Sequence, residues 1–544
     1  MSASKDKKTR QEQAGIGKPR TAREIQQRKE ERRSNILYAT IAILFVVVAV
    51  ITITWKSGIV QRKATAVTIK GVNYSSAEVD YYYRSTYQNF LSQYSSYLSY
   101  IGLDTSKNLK DQTCPMDTEG GSWYDYFMDQ SLTKMSSIHA LCDAAAADNF
   151  TWNDDMQSQF DKAMSSLSST VDTYNSTYNS SLTVKSYLKA VFGSIMTQDV
   201  YEEQLKLSIL AQAYSDKYTN GLTYTTSDLT TAYNEDPNAY DEVDYESIRI
   251  DGSVQTAADS SASGSAASSS AASSSAASSS AASSSAASEP TDEEKAAALE
   301  SAKELANSFY SQYQSGASLS DLAKGNDLAT YTGGVVGTYS DNVLMNWLFD
   351  SSRKAGDSAV LADEDNSAYY VVVFSSRYRY DYNTVDVRHI LIKPETSTLS
   401  EGDDGYEEDV AQKKADAQKK AEDLLAEWKA GAATEDSFAE LANKNSEDTG
   451  SNTTGGLYEH VYKGEMVTEF NDWCFDKARK SGDTGIVYSE STGYHIIYFV
   501  GTDLPYWQVQ VTNALQTKDY NDWYSSVTKG YDATQHSFGM SFVN

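Results

Sequence analysis

Two histidines are the residues of this 544-residue chain best placed for chemistry: His389 in TVDVRHILI (Thr384–Ile392) and His495 in GYHIIYF (Gly493–Phe499). Both lie in runs rich in β-branched and aromatic residues that read as strands, so two imidazoles on neighbouring strands could bond to each other and to hydroxyls. The same blocks occur earlier with both histidines changed. EVDYESIRI (Glu242–Ile250) carries Ser247 in place of His389, and AYYVVVF (Ala368–Phe374) carries Tyr370 in place of His495. Between these ends, WLFDSSRKAGDSAVL from Trp347 matches WCFDKARKSGDTGIV from Trp473. A duplication that keeps its core and changes its paired histidines implies one working site and one scaffold. His139, His460 and His536 have no matched context and read as surface or packing residues. Neither copy has a GxSxG elbow, a Walker loop or an HExxH helix, so hydrolase and nucleotide chemistry find no support.

Around the histidine positions each copy shows a strand, a long helix, a short helix, a glycine turn, a helix, a second glycine turn and a strand. In the second copy these fall at Asp386–Lys393, Val410–Lys429, Ser437–Lys444, Gly455-Gly456, Val467–Lys480, Gly482 and Tyr494–Val500. A small antiparallel sheet covered by helices is the implied fold, within an α+β chain. The first copy is interrupted from Ala257 to Ser288 by repeated AASSS, which has too little apolar side-chain volume to support a core. Upstream, Val67 to about Asn234 has helical spacing and many tyrosines, with helix starts at Ser75-Ser76-x-Glu78 and Thr225–Asp228. Downstream, Trp507–Asn544 has helical spacing and ends in SFGMSFV, read as a short strand. Cys114, Cys142 and Cys474 give no CxxC pair and no disulfide framework. Cys474 aligns with Leu348, which favours a buried role; pairing of Cys114 with Cys142 stays open. No metal or other cofactor is expected.

Ile36–Thr54 is a nearly continuous apolar run of a length that suits a bilayer core about 30 Å thick. Eleven Lys and Arg residues precede it and few follow, so the positive-inside rule puts the N-terminus in the cytoplasm and the bulk outside. The net charge of −29 argues against a nucleic-acid partner, because a phosphate backbone calls for basic surface.

The ordered blocks RHILIK, FAELANKNSED, GGL, KGEMVTEF, FDKARKSGD and TGYHIIYF, over about Val385–Thr502, resemble the parvulin family of peptidyl-prolyl cis-trans isomerases. The wider layout is similar to that of PrsA/SurA-like foldases. The resemblance implies that His389, Asp448 and His495 are the catalytic constellation. It also implies that Leu457, Met466 and Phe470 form the proline pocket and that Thr492 is a substrate-side hydroxyl beside the second histidine. Rotation about a prolyl bond faces a barrier of about 18–20 kcal/mol and breaks no covalent bond. It needs an apolar seat for the ring and polar groups that favour the twisted amide. The acidic loop from Glu395 through Glu401, Asp403, Asp404, Glu407, Glu408 and Asp409 would repel a phosphate, so unphosphorylated prolines are the expected substrates.

The expected organisation is a basic cytoplasmic tail (1–35), a single transmembrane helix (36–55) and a helical chaperone-like lobe (56–240). A degenerate parvulin-like domain (241–380, insert 257–288) follows, then a parvulin domain (381–503) and a C-terminal helical segment (504–544) packing on the lobe. Two functions remain open. One is a membrane-anchored extracytoplasmic isomerase and chaperone acting on unfolded or partly folded exported polypeptides that contain proline. The other is a holdase with both parvulin copies silent. A homodimer is compatible with either.

Overall fold

The computed structural model describes residues 42–118, 120–254 and 290–543, together with 7, 9, 10 and 40. Most of the basic tail, the Ala/Ser tract and part of the expected membrane span lie outside these residues. Residues 42–56 form a helix whose apolar side chains are exposed, Phe45 and Ile53 by more than 60%. Among the described residues, no helix is long and apolar enough to cross a membrane.

Two compact units are present: Met1–Leu222 with Lys518–Asn544, and Thr223–Thr517. The first is a helical lobe on a small sheet of order β11-β1-β2, with β1 at Thr65–Ile69, β2 at Val72–Ser75 and β11 at Ala533–Gln535. Helix α1 (Ser76–Gln93) starts at a capping box in which Ser75 and Glu78 satisfy each other's backbone N–H, as the sequence leads one to expect. It packs with α2 (Trp123–Ala147) over a core that includes Tyr82, Trp123, Phe127 and Met135; α3 (Asp154–Tyr178) packs instead on α4 (Val184–Phe192) and α5 (Gln198–Gly221), both of which also meet α1. The C-terminal stretch closes this lobe by stacking Trp523 on Tyr218 at 4.1 Å. SFGMSFV is not a strand: Ser537–Met540 is helical, and the strand is the preceding ATQ.

The second unit begins with α6 (Thr226–Glu235), whose Leu229 is buried with Trp507 and Val511, so 223–240 belongs here and not to the helical lobe. Two sheets follow with the same topology, β4-β3-β6-β5 and β8-β7-β10-β9, all antiparallel. The first copy comprises β3 (Glu242–Asp251), α7 (Asp292–Gln314), α8 (Leu319–Ala323), β4 (Ala329–Thr338), α9 (Val343–Leu348), β5 (Ser358–Asp363) and β6 (Ala368–Tyr378). The second comprises β7 (Asn383–Ile392), α10 (Tyr406–Ala430), α11 (Glu435–Asn445), β8 (Leu457–Val461), α12 (Thr468–Cys474), β9 (Thr484–Ser489) and β10 (Gly493–Pro505). The expected helix Val467–Lys480 stops at Cys474, because residues 475–482 turn back toward β9. A last helix, α13 (Tyr506–Thr528), follows β10.

Registers agree residue for residue: Ile250 opposes Tyr369 in the first copy and Ile392 opposes Tyr494 in the second. Ser247 therefore holds the place of His389, and Tyr370 that of His495. Strand alternation gives the second sheet two faces. Ile390, Ile392, Ile496 and Tyr498 pack under α10 and α11, whereas Val385, Val387, Ile497 and Phe499 pack under α12 with Phe470 and Cys474. His389 and His495 share parity with the α12 face, at the end of its apolar cluster. All three cysteines are free, and burial pushes the Cys474 thiol up to about 12.

Candidate active site

β7 and β10 are adjacent strands, which sets His389 Nδ1 3.2 Å from His495 Nδ1 with the rings within 15° of parallel. A loop, residues 446–456, is laced along β7 and brings the acid to them. The Leu391 N–H donates to Ser446 Oγ at 3.1 Å, Glu447 N–H to the Leu391 carbonyl at 2.9 Å, and His389 N–H to the Gly456 carbonyl at 2.8 Å. On the other face Arg388 donates to Glu435 and to the carbonyls of Thr454 and Gly455. Asp448 Oδ2 then lies 2.8 Å from His389 Nε2.

The hydrogen bonds have one consistent direction. Burial would raise the Asp448 carboxyl, but bonds from Ser451, His389 and the Gly450 N–H hold it well below the usual carboxylate range, so it is ionised and only accepts. Burial pushes His389 down despite Asp448, so the ring is neutral and its single N–H is the Nε2–H that faces the acid. This contact is a hydrogen bond rather than an ion pair. His389 Nδ1 must then accept from His495 Nδ1–H, and His495 Nε2 accepts the Thr492 hydroxyl at 2.7 Å. Burial and the neighbouring His389 push His495 down to about 4. The floor is dry: His389 is 5% exposed, His495 6% and Phe470 1%, with Phe470 edge-on to both imidazoles.

The expected residues are mostly brought together. His389, His495, Asp448 and Thr492 form one chain, and Met466 and Phe470 join the apolar cluster beside it. Leu457 does not: it opposes Arg388 in the register and so faces away from the imidazoles. Its neighbour Tyr458 opposes Val387, stands edge-on to His389 at 5.3 Å and donates its hydroxyl to Asp448 at 3.0 Å. Ser451 is the other residue that sequence reasoning missed, and it too donates to Asp448. The only sequence signal for Tyr458 is strand alternation counted from Gly456.

Proton linkage gives a test. Folded His495 resists protonation until about pH 4, whereas an unfolded imidazole takes up its proton near pH 6.5, so stability falls as pH drops from about 6.5 to 4. The expected loss at pH 5 is on the order of 2 kcal/mol relative to pH 7. Hydrogen exchange of β7 and β10 amides at the two pH values checks it; equal protection would contradict neutral buried imidazoles.

Residues 370–502 match the PPIC-type PPIase domain family. This segment is a parvulin-type peptidyl-prolyl isomerase domain. Among solved structures, the chain is similar to PrsA from Bacillus anthracis (23% identity, TM-score 0.17, 30% of this chain and 58% of that one). It is also similar to PrsA from Bacillus subtilis (20%, 0.18, 30% and 50%) and to a SurA-like chaperone from Campylobacter jejuni (24%, 0.16, 26% and 50%). These matches span between half and three fifths of the solved chains. No match was found among curated proteins. The matched segment includes every residue of the His–His–Asp chain; it begins at Tyr370 in β6 of the first copy and leaves out Ser247.

Proposed function

We propose that this protein is a membrane-anchored, extracytoplasmic prolyl isomerase and folding chaperone for exported chains, with the second copy active. The observation that carries this reading is the Thr492–His495–His389–Asp448 chain, which has no counterpart in the first copy. There, Ser247 and Tyr370 replace the imidazoles, and residues 324–328 join α8 to β4 where the second copy has its acid-bearing loop. Asp448 is the one charge in the network, and its four donors, from His389, Ser451, Tyr458 and Gly450, fix it in place. Its field need not reorganise as a substrate amide twists, which is the form of help a rotation without bond cleavage can use. Met466 and Phe470 offer the apolar wall for the proline ring. The apolar, solvent-exposed helix at 42–56 and the basic residues ahead of it support the anchor.

The holdase reading is favoured by a different observation. A cavity of about 860 Å³ in the helical lobe is lined by amides and aromatic rings such as Gln88, Asn89, Gln130, Phe90 and Tyr201, with Lys134 its single charge. Uncharged amides can bond a peptide backbone whatever its sequence.

Isomerisation of an unphosphorylated proline peptide by the whole chain separates the two. His495→Ala should lower the rate about ten- to a hundredfold, and Ser247→Ala should leave it unchanged. No activity in the parent chain would transfer the function to the holdase.

A further inference from the structure

Away from the isomerase network, three strands of the same domain converge on a second set of polar groups. Asp386 of β7, His460 of β8 and Asp503 of β10 place one oxygen or nitrogen each within 4.8 Å of the others. Strand order β8-β7-β10 makes these neighbours across the sheet. His460 N–H donates to Asp386 Oδ1 at 2.8 Å, which fixes the residue's backbone beside that acid. Its Nδ1 is sealed from solvent and lies 2.7 Å from Asp503 Oδ2 without the direction of a hydrogen bond. Burial raises the Asp386 carboxyl against the opposing pull of the His460 N–H, and the charge of Asp503 adds to the rise. Among the described residues, no lysine or arginine pairs with either acid.

We propose that Asp386, His460 and Asp503 bind a divalent first-row metal ion of the Mn²⁺ to Zn²⁺ range. Two carboxylates and one imidazole are the donor set such ions take with water filling the remaining positions, and the nitrogen disfavours Mg²⁺ and Ca²⁺. Ligand atoms held about 2.0–2.2 Å from one ion are separated by roughly 3–4.4 Å, so the observed spread closes on a single cation with movements of a few tenths of an ångström. The ion would neutralise two adjacent acids and take the lone pair of His460 Nδ1 in place of its 2.7 Å approach to Asp503. It would also pin β8, an edge strand joined to β7 at only three register positions, Val385–Val461, Val387–Tyr458 and Arg388–Leu457. This site does not depend on the isomerase reading.

The test is calorimetric titration of the full chain, stripped with EDTA, with ZnCl2, MnCl2 and MgCl2, beside its melting curve with and without Zn²⁺. One equivalent of Zn²⁺ or Mn²⁺ should bind and raise the transition of this domain, with Mg²⁺ binding at least tenfold more weakly. Asp503→Asn and His460→Gln, both at partly exposed positions, should each weaken binding by about tenfold or more, while His495→Ala leaves it intact. Asp386→Asn provides a third variant, with circular dichroism checking the fold of each. Binding unchanged in the Asp503 and His460 variants, binding lost in His495→Ala, or no heat at millimolar Zn²⁺ would each overturn the site.

Discussion

Asp448→Ala should destabilise the parvulin domain by about 3 kcal/mol or more and abolish its isomerase activity. The carboxylate accepts from His389 Nε2, Ser451 Oγ and Tyr458 OH through one oxygen and from the Gly450 N–H through the other. Removing it leaves buried donors unpaired at roughly 1–3 kcal/mol each, offset in part by water that enters at the rim, where its side chain is 19% exposed. Asp448→Asn retains an acceptor oxygen but not the charge, so it should recover part of the stability and little of the activity. Urea midpoints and peptide rates for the two variants decide it. If alanine costs under about 1 kcal/mol, the loop is held by its backbone bonds alone.

Gly456→Ala is the second large effect. At φ +69 a side chain costs about 1–2 kcal/mol in left-handed backbone strain. Here the added Cβ would also lie 2.2 Å from the His389 carbonyl oxygen and 3.0 Å from its nitrogen. Those are backbone atoms of a central strand and cannot swing aside, so β8 must lift from β7. A loss of about 3 kcal/mol or more is expected, with Tyr458 and the isomerase rate lost along with it. Gly464, also in the left-handed region, has open space around its Cβ position, so Gly464→Ala should cost only the strain. Comparing the two substitutions separates conformation from collision; equal effects would mean that the strands can part freely.

The contrast between central and edge strands explains what could be read from the chain. β7 and β10 are long, mostly buried and rich in Val, Ile and aromatics, and both were legible with the histidines on them. β8 (LYEHV) and β9 (TGIVYS) were not, because short edge strands only half buried carry little hydrophobic pattern. Without β8 the sequence sets Leu457 beside the imidazoles, where the register sets Tyr458. With period-two alternation, a one-position error moves a side chain to the other face, and so Leu457 stood in for Tyr458. Ser451 escaped notice for another reason: it joins the site through a turn whose course depends on Gly455, Gly456 and Arg388 together. The C-terminal end misled because the apolar spacing of SFGMSFV suits a short helix as well as a strand.

The short 324–328 connection of the first copy gives the duplication a direction in sequence space. Installing imidazoles at 247 and 370 would seat two rings on matching strands, yet the shorter connection, which carries Asp327, differs from the loop that holds Asp448 in the second copy. The first copy has nine residues between Ala323 and Gly333 where the second has twelve between Ala442 and Gly455, so rebuilding the site would take a three-residue insertion as well as those substitutions. On the proposed reading, regaining a site in the first copy is a matter of loop length as well as of point substitution. The long Ala/Ser tract between its first strand and first helix shows that its connections already depart in length from those of the second copy.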